Sequence, residues 1–245
     1  MPAPDARRRR LPAAATLLAA ALLAAFPSAP SAGPIKGAER DAAFERIRLR
    51  QRDIASFRAA VVQTKRHPLL KSEAVNEGTL LFGKPNRLRW ELDKPERTVI
   101  VLDGKTMTSY FPDRKEAVRR DLGDNLASRA AVEFMSSGMN VSLPDLEKRF
   151  SVDLYREGGD LVLTLTPRSK WLSRAIASIS IHSREDEAVP RRIVVVGKRG
   201  DRTETTLSRV AINPVLPADA FALRLAPDVR VTESGGTPTG RDDGP

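Results

Sequence analysis

Apolar and polar residues alternate along most of this chain in short runs broken by Gly, Pro and Asn. Residues 87–92 are the cleanest example: Leu88, Trp90 and Leu92 fall on one side, Arg87, Arg89 and Glu91 on the other. Successive side chains of a strand point to opposite faces, so strict alternation predicts a half-buried antiparallel strand. Upstream, residues 79–82 form an apolar run closed by Lys84-Pro85-Asn86. Pro cannot donate to a ladder and Asn tolerates tight backbone, so this is a turn. Downstream, residues 98–102 are β-branched and apolar, Asp103-Gly104 is a hairpin signal of the type I′ kind, and residues 107–111 return. Residues 56–65 alternate too, with Phe57, Ala59, Val61 and Gln63 against Arg58, Ala60, Val62 and Thr64. His67-Pro68 breaks that strand, and residues 71–76 read as a polar connection. The pattern predicts a meander with one apolar face.

Further strands are predicted at residues 116–120, 150–156, 161–166, 175–182, 191–197, 203–212 and 221–231. In the run ending at His182, that histidine falls opposite Ile179 and Ile181, which predicts an exposed strand residue. Glu185-Asp186-Glu187 reads as a solvated hairpin tip rather than a metal site. Helical spacing appears twice. Residues 38–55 repeat Phe44, Ile47 and Ile54, with Ala43 and Gln51 completing the stripe. Between strands, Leu122, Leu126, Ala130 and Phe134, with Val132 and Met135, share one side of a second helix that ends at Ser136-Ser137-Gly138. A short helix opens after it near Ser142 and Pro144. The order predicts a mainly β fold with some α. It is a strongly curved antiparallel sheet of roughly ten or eleven strands with helices on its inner face. The helical insert, about residues 121–148, either completes a filled core or forms a lid over a cavity.

The ends of the chain differ from its middle. Arg7 to Arg10, an Ala/Leu run over residues 11–26 and small residues up to Ala32 read as a cleavable export signal over residues 1–32. A membrane anchor is the rival reading, but the run is short for a span of about 20 residues. Residues 33–233 read as one domain, and residues 234–245 as a disordered Gly/Pro tail.

Composition removes several chemistries. Among 245 residues there is no Cys, which excludes disulfides, thiolate metal sites and a Cys nucleophile. His67 and His182 are the only histidines. The net charge of +10 points to a basic surface, but aromatics make up only 5% and do not interleave with basic residues as in single-strand nucleic-acid binders. Gly104-Lys105-Thr106 lacks the upstream Gly of a phosphate loop and lies in a hairpin. No nucleophile motif or zinc-protease motif occurs. The reading is a protein that is not an enzyme and carries no cofactor.

The pieces Phe57, Gln63 and Lys65, then Gly78, Leu80, Phe82, Lys84-Pro85-Asn86, Leu88 and Trp90, then Pro95, Val101, Asp103-Gly104-Lys105-Thr106, Tyr110 and Pro112 resemble the periplasmic outer-membrane lipoprotein carrier family, the LolA type. The resemblance is dense over residues 57–112 and holds in outline elsewhere. It implies an unclosed β-barrel capped by a helical lid, with an acyl-binding cavity between them. It implies a soluble, monomeric periplasmic carrier that takes lipoproteins from an inner-membrane releasing transporter and hands them to an outer-membrane acceptor. A carrier of another lipid, or a lipid-sensing regulatory protein, would share the fold. The expected cavity lining is Phe57, Val61, Leu80, Phe82, Leu88, Trp90, Val99 and Val101, with Leu126, Phe134 and Met135 from the lid. Family members commonly hold the lid by an Arg at the place of Lys84. An ammonium lacks the planar fork of Arg, so a Lys latch there would be built differently.

Overall fold

The computed structural model describes residues 33–70, 72–104, 106–121 and 143–233. The expected export signal, the tail, and residues 122–142 of the expected lid lie outside them. Helix α1 (Gly37–Arg52) is followed by β1 (Ser56–Arg66), β2 (Ala74–Gly83), β3 (Arg87–Lys94), β4 (Thr98–Asp103), β5 (Thr106–Phe111) and β6 (Glu116–Asp121). Helix α2 (Leu143–Arg149) leads into β7 (Phe150–Glu157) and β8 (Asp160–Pro167). A single turn, α3 (Leu172–Ala175), precedes β9 (Ile176–Arg184), β10 (Arg192–Gly197), β11 (Arg202–Ile212) and β12 (Arg230–Glu233). One sheet of 12 strands results, in the order β12-β6-β5-β4-β3-β2-β1-β11-β10-β9-β8-β7. Eleven pairings join these strands, antiparallel throughout except β12 against β6. The predicted unclosed antiparallel sheet is the observed one, and the details of three strands need correction.

Register explains why the sheet has one apolar face. Phe57 pairs with Phe82, Phe82 with Leu88, Leu88 with Leu102, and Leu102 with Met107, so these five side chains stand in one row. Across the other half, Leu154, Leu163, Ile181 and Ile193 form an equivalent row. The Phe57 and Phe82 rings stack at 5.3 Å. Each such side chain taken out of water contributes about 1.5–3 kcal/mol. At Gly78 the backbone of β3 passes so close that a Cβ would sit 1.8 Å from the Glu91 carbonyl oxygen, so only Gly fits this bulge.

The helices cover the β7–β9 half of that inner face. Ile35 N–H donates to the Leu154 carbonyl at 2.7 Å, which pins the start of α1 to β7. Ala43 then packs with Leu154 and Leu161, flanked by Phe44 and Ile47. Leu143 and Leu146 of α2 pack on Phe150, Val152, Leu165 and Ile179. At the other end of α1 the β9–β10 loop tucks in, with Gln51 Nε2 donating to the Ala188 carbonyl at 3.1 Å.

Three expectations need correction. β2 begins at Ala74, because Lys65 and Thr64 of a longer β1 pair with Ala74 and Val75, in what read as a polar connection. β4 runs through Asp103, whose Oδ1 accepts the Thr106 N–H at 3.0 Å, and Gly104 takes φ +97, so the turn centres one residue later than a type I′ reading of Asp103-Gly104 places it. The expected last strand, 221–231, is reduced to Arg230–Glu233. After β11 the chain turns at Asn213, whose Oδ1 accepts the Ala55 and Ser56 N–H groups. Residues 214–225 then cross the outer face of the sheet as a strap and reach the β6 border only beyond Pro227.

His182 is likewise not exposed. It does face away from Ile179 and Ile181, but it is 7% exposed, with Arg192 Nη2 3.0 Å from its Nδ1. Desolvation first, and the Arg192 charge second, hold its pKa below the ordinary 6.5, against a smaller opposing pull from Glu157, Asp160 and Glu204. A depressed histidine binds fewer protons folded than unfolded. Its contribution is therefore complete above pH 6.5 and is lost progressively as pH falls toward the folded value. Urea midpoints should fall between pH 7.5 and 5.5, about the span in which histidine titrates. His182→Gln should flatten that slope; an unchanged slope in the variant would assign the effect to other groups.

Candidate functional site

The inner face of β1–β5 is an apolar floor. Phe57, Ala59, Val61, Leu80, Phe82, Leu88 and Leu102 are buried on it, with Trp90 and Met107 partly buried beside them. Among the described residues, Ile54 just past α1 and Ala188 and Val189 of the β9–β10 loop pack against it, and Leu207 of β11, opposite Val61, extends it beyond β1. β6 ends this half at Asp121, next to the β12 border, whereas α2 begins at Leu143 beside β7, the opposite border.

Polar groups mark the ends of the floor. At one end Gln63, itself buried, donates from Nε2 to Thr205 Oγ1 at 3.3 Å and accepts from Asn76 Nδ2 at 3.5 Å. In the middle, the Trp90 indole N–H is buried without a hydrogen-bond partner among the described residues. A buried orphan donor costs about 1–3 kcal/mol. At the far end stands Lys84, whose Nζ donates to the Gln51 and Arg52 carbonyls at 3.1 and 3.2 Å. These are the last acceptors of α1, where a cation also meets the negative end of the helix dipole. The residues expected to be latched lie mostly outside the described ones; the described partners of Lys84 are those of α1. Lys84→Met should lower unfolding free energy by about 1 kcal/mol through loss of this cap, measured by urea denaturation. No loss would mean that water replaces the ammonium at no cost.

Of the expected lining, Phe57, Val61, Leu80, Phe82, Leu88 and Trp90 lie on the floor. Val99 and Val101 do not. Val101 pairs with Arg89 and Thr108, and Val99 with Glu91 and Tyr110, all on the outer face. The floor positions in β4 are Ile100 and Leu102, opposite Trp90 and Leu88. Val101 is buried because the strap lies over it, in a region of about 440 Å³ lined also by Phe221, Leu223 and Leu225. Leu126, Phe134 and Met135 lie outside the described residues. Ile54, Val189 and Leu207 were not expected. Leu207 was open to pairing arguments only once β11 was known to lie against β1, and Val189 reaches the floor from a loop that carries no periodicity.

The strap is fastened by polar contacts. Arg89 Nη1 donates to the Ala222 carbonyl at 2.7 Å, and the Arg87 guanidinium lies 4.8 Å from the Phe221 ring centre. A groove of about 760 Å³ runs beside it, lined by Arg58, Arg89, Tyr110 and Leu223 among others. The acids at the β9–β10 turn are individually paired: Glu185 with Arg156, Glu187 with Arg191 at 2.7 Å, and Asp186 with Arg184 at 3.6 Å. Among the described residues no cluster of three or more His, Asp or Glu could hold a metal, and no helix is long and apolar enough to cross a membrane.

The chain is similar to known proteins along most of its length. The outer-membrane lipoprotein carrier protein of Cupriavidus pinatubonensis is 31% identical over 154 residues, covering 62% of this chain and 68% of its own. That of Albidiferax ferrireducens is 24% identical over 203 residues, covering 82% and 92%. Among solved structures, a LolA superfamily protein from Nitrosomonas europaea is 14% identical, covers 74% of this chain and 96% of its own, and gives a TM-score of 0.42. The family model described as outer membrane lipoprotein carrier protein LolA matches residues 52–224, from the end of α1 through β11 into the strap. With the floor and all but the last residue of the strap inside that match, the chain belongs to the LolA family of outer membrane lipoprotein carrier proteins.

Proposed function

We propose that this protein is a periplasmic carrier that shelters the acyl chains of lipoproteins against the inner face of β1–β5. It would receive them from an inner-membrane releasing transporter and deliver them to an outer-membrane acceptor. The observation that carries the reading is the floor itself: a continuous apolar row from Phe57 to Met107, beside which the buried Trp90 indole N–H has no partner among the described residues. Acyl chains need dry surface, about 0.8 kcal/mol per buried CH₂, and the ester or amide carbonyl at their head would satisfy the indole N–H. Residues 121–148 would act as the lid, since they join β6, next to one border of the sheet, to β7 at the other. A carrier must also release its cargo, which a movable cover over an open sheet permits and a permanently filled core does not.

The test is displacement of a fluorescent hydrophobic probe from the exported protein by a triacylated lipopeptide. Saturable probe binding, displaced by the lipopeptide and not by its deacylated form, is expected. Absence of probe binding by the folded protein would overturn the reading. Displacement by free glycolipid alone would retain the groove and replace the cargo.

A further inference from the structure

Three connections stand side by side at one end of the sheet. These are the β1–β2 loop, the β10–β11 hairpin and the β8–β9 connection with α3. The register brings them together, with Arg66 opposite Arg202, and Gly197 opposite Ile176. They also touch: Lys198 N–H donates to the Ala175 carbonyl at 3.0 Å, and a Cβ on Gly200 would lie 3.1 Å from Pro68 Cγ. This is the end at which the Gln63–Thr205 row closes the apolar floor.

The rim has an unusual surface. Leu69 is 86% exposed, Leu70 65% and Trp171 52%. The leucines are held out by a built turn, in which the Leu69 N–H donates to His67 Nδ1 at 3.2 Å and the Leu70 N–H to the His67 carbonyl at 3.0 Å. Residues 168–175 and 198–202 supply six basic side chains and one carboxylate, Asp201. Adjacent exposed apolar side chains rimmed by polar ones, as Leu69 and Leu70 are, mark interaction sites.

We propose that this rim docks reversibly on the surface of an anionic phospholipid bilayer. Leu69, Leu70 and Trp171 enter the interfacial layer, and Lys170, Arg174, Lys198 and Arg199 meet the lipid phosphates. Trp favours the headgroup level, where its ring is half dry and its N–H wet. Basic side chains next to a few inserted apolar ones give weak, salt-sensitive binding, which suits a protein that must leave again. Breadth favours a bilayer over an acidic protein. The β1–β2 and β8–β9 connections are four strand spacings apart, about 19 Å along the rim. The inference goes beyond the carrier reading and does not depend on which lipid the floor holds.

Flotation of the exported protein with vesicles tests it. Vesicles of phosphatidylglycerol with phosphatidylethanolamine should carry the protein upward; vesicles of phosphatidylcholine alone should not. Leu69→Glu with Leu70→Glu, and separately Lys198→Glu with Arg199→Glu, should each lower the bound fraction about tenfold. About 0.5 M salt should do the same, because it shortens the screening length to about 4 Å. Tryptophan emission should shift to the blue on addition of anionic vesicles, and Trp171→Phe should abolish the shift. All five positions are exposed, so the fold is retained, which circular dichroism checks. No binding to anionic vesicles, or binding that both double substitutions leave unchanged, overturns the proposal. Retention on an acidic protein without vesicle binding also overturns it and makes the rim a protein dock. Probe binding by the rim variants should be normal; its loss in the unsubstituted protein would count against the carrier reading alone.

Discussion

Exchanging Leu102 for Gln will weaken binding of a hydrophobic probe about tenfold or more, while the same exchange at its neighbour Val101 will leave binding within about twofold. The two residues are adjacent and equally buried, at 3% and 4% exposure. Each exchange places an amide in apolar surroundings, which costs about 1–3 kcal/mol. Stability should therefore fall by similar amounts in both variants, and each serves as the other's control. Only the face differs. Leu102 stands in the floor row between Leu88 and Met107, so its amide would meet the acyl chain. Val101 stands under the strap beside Phe221 and Leu223, so its amide would loosen residues 214–225 instead. Limited proteolysis should accordingly cut the strap of the Val101 variant first. Equal loss of probe binding in both would mean that the groove is not on the inner face of β4, and loss in Val101→Gln alone would move it beneath the strap.

That same pair shows where the sequence stopped being legible. In β3 the alternation of Leu88, Trp90 and Leu92 with Arg87, Arg89 and Glu91 assigns both faces without a structure, and the floor obeys it. In β4 the run Val99-Ile100-Val101-Leu102 is apolar at every position. A strand covered on both sides has no polar face to read, and here the core covers one side and the strap the other. Parity then depends on pairing, Leu88 with Leu102, which the run does not encode by itself; a slip of one residue exchanges the faces. His182 failed for a related reason. Its side of the sheet was read correctly, but that side is not uniformly solvated: Val162 and Val194 on the neighbouring strands are 3% exposed. The acids at residues 185–187 were legible as a turn, because each finds an arginine close at hand. Val189 was not, because a loop residue that reaches back under α1 follows no period.

Truncating Leu154 to Ala should cost about 3–4 kcal/mol of unfolding free energy, among the largest effects available to one substitution here. Leu154 is fully buried, at 0% exposure, between Ala43 and Ile35 of the N-terminal segment and Leu161 of β8. Its backbone carbonyl also accepts the Ile35 N–H, so the site cannot relax inward without loosening the start of α1. A cavity that cannot collapse retains the full cost of the lost contacts. For a domain of this size the midpoint of thermal unfolding should fall by about 10 °C. Probe binding at a temperature where the variant is folded should be unchanged, because Leu154 lies beneath α1 in the half of the sheet away from the floor. A drop of only a few degrees would mean that α1 settles into the gap and that the β7 end is soft. Loss of probe binding by the folded variant would mean that α1 and the floor are one cooperative unit, so that the helix held by Lys84 takes part in opening the groove.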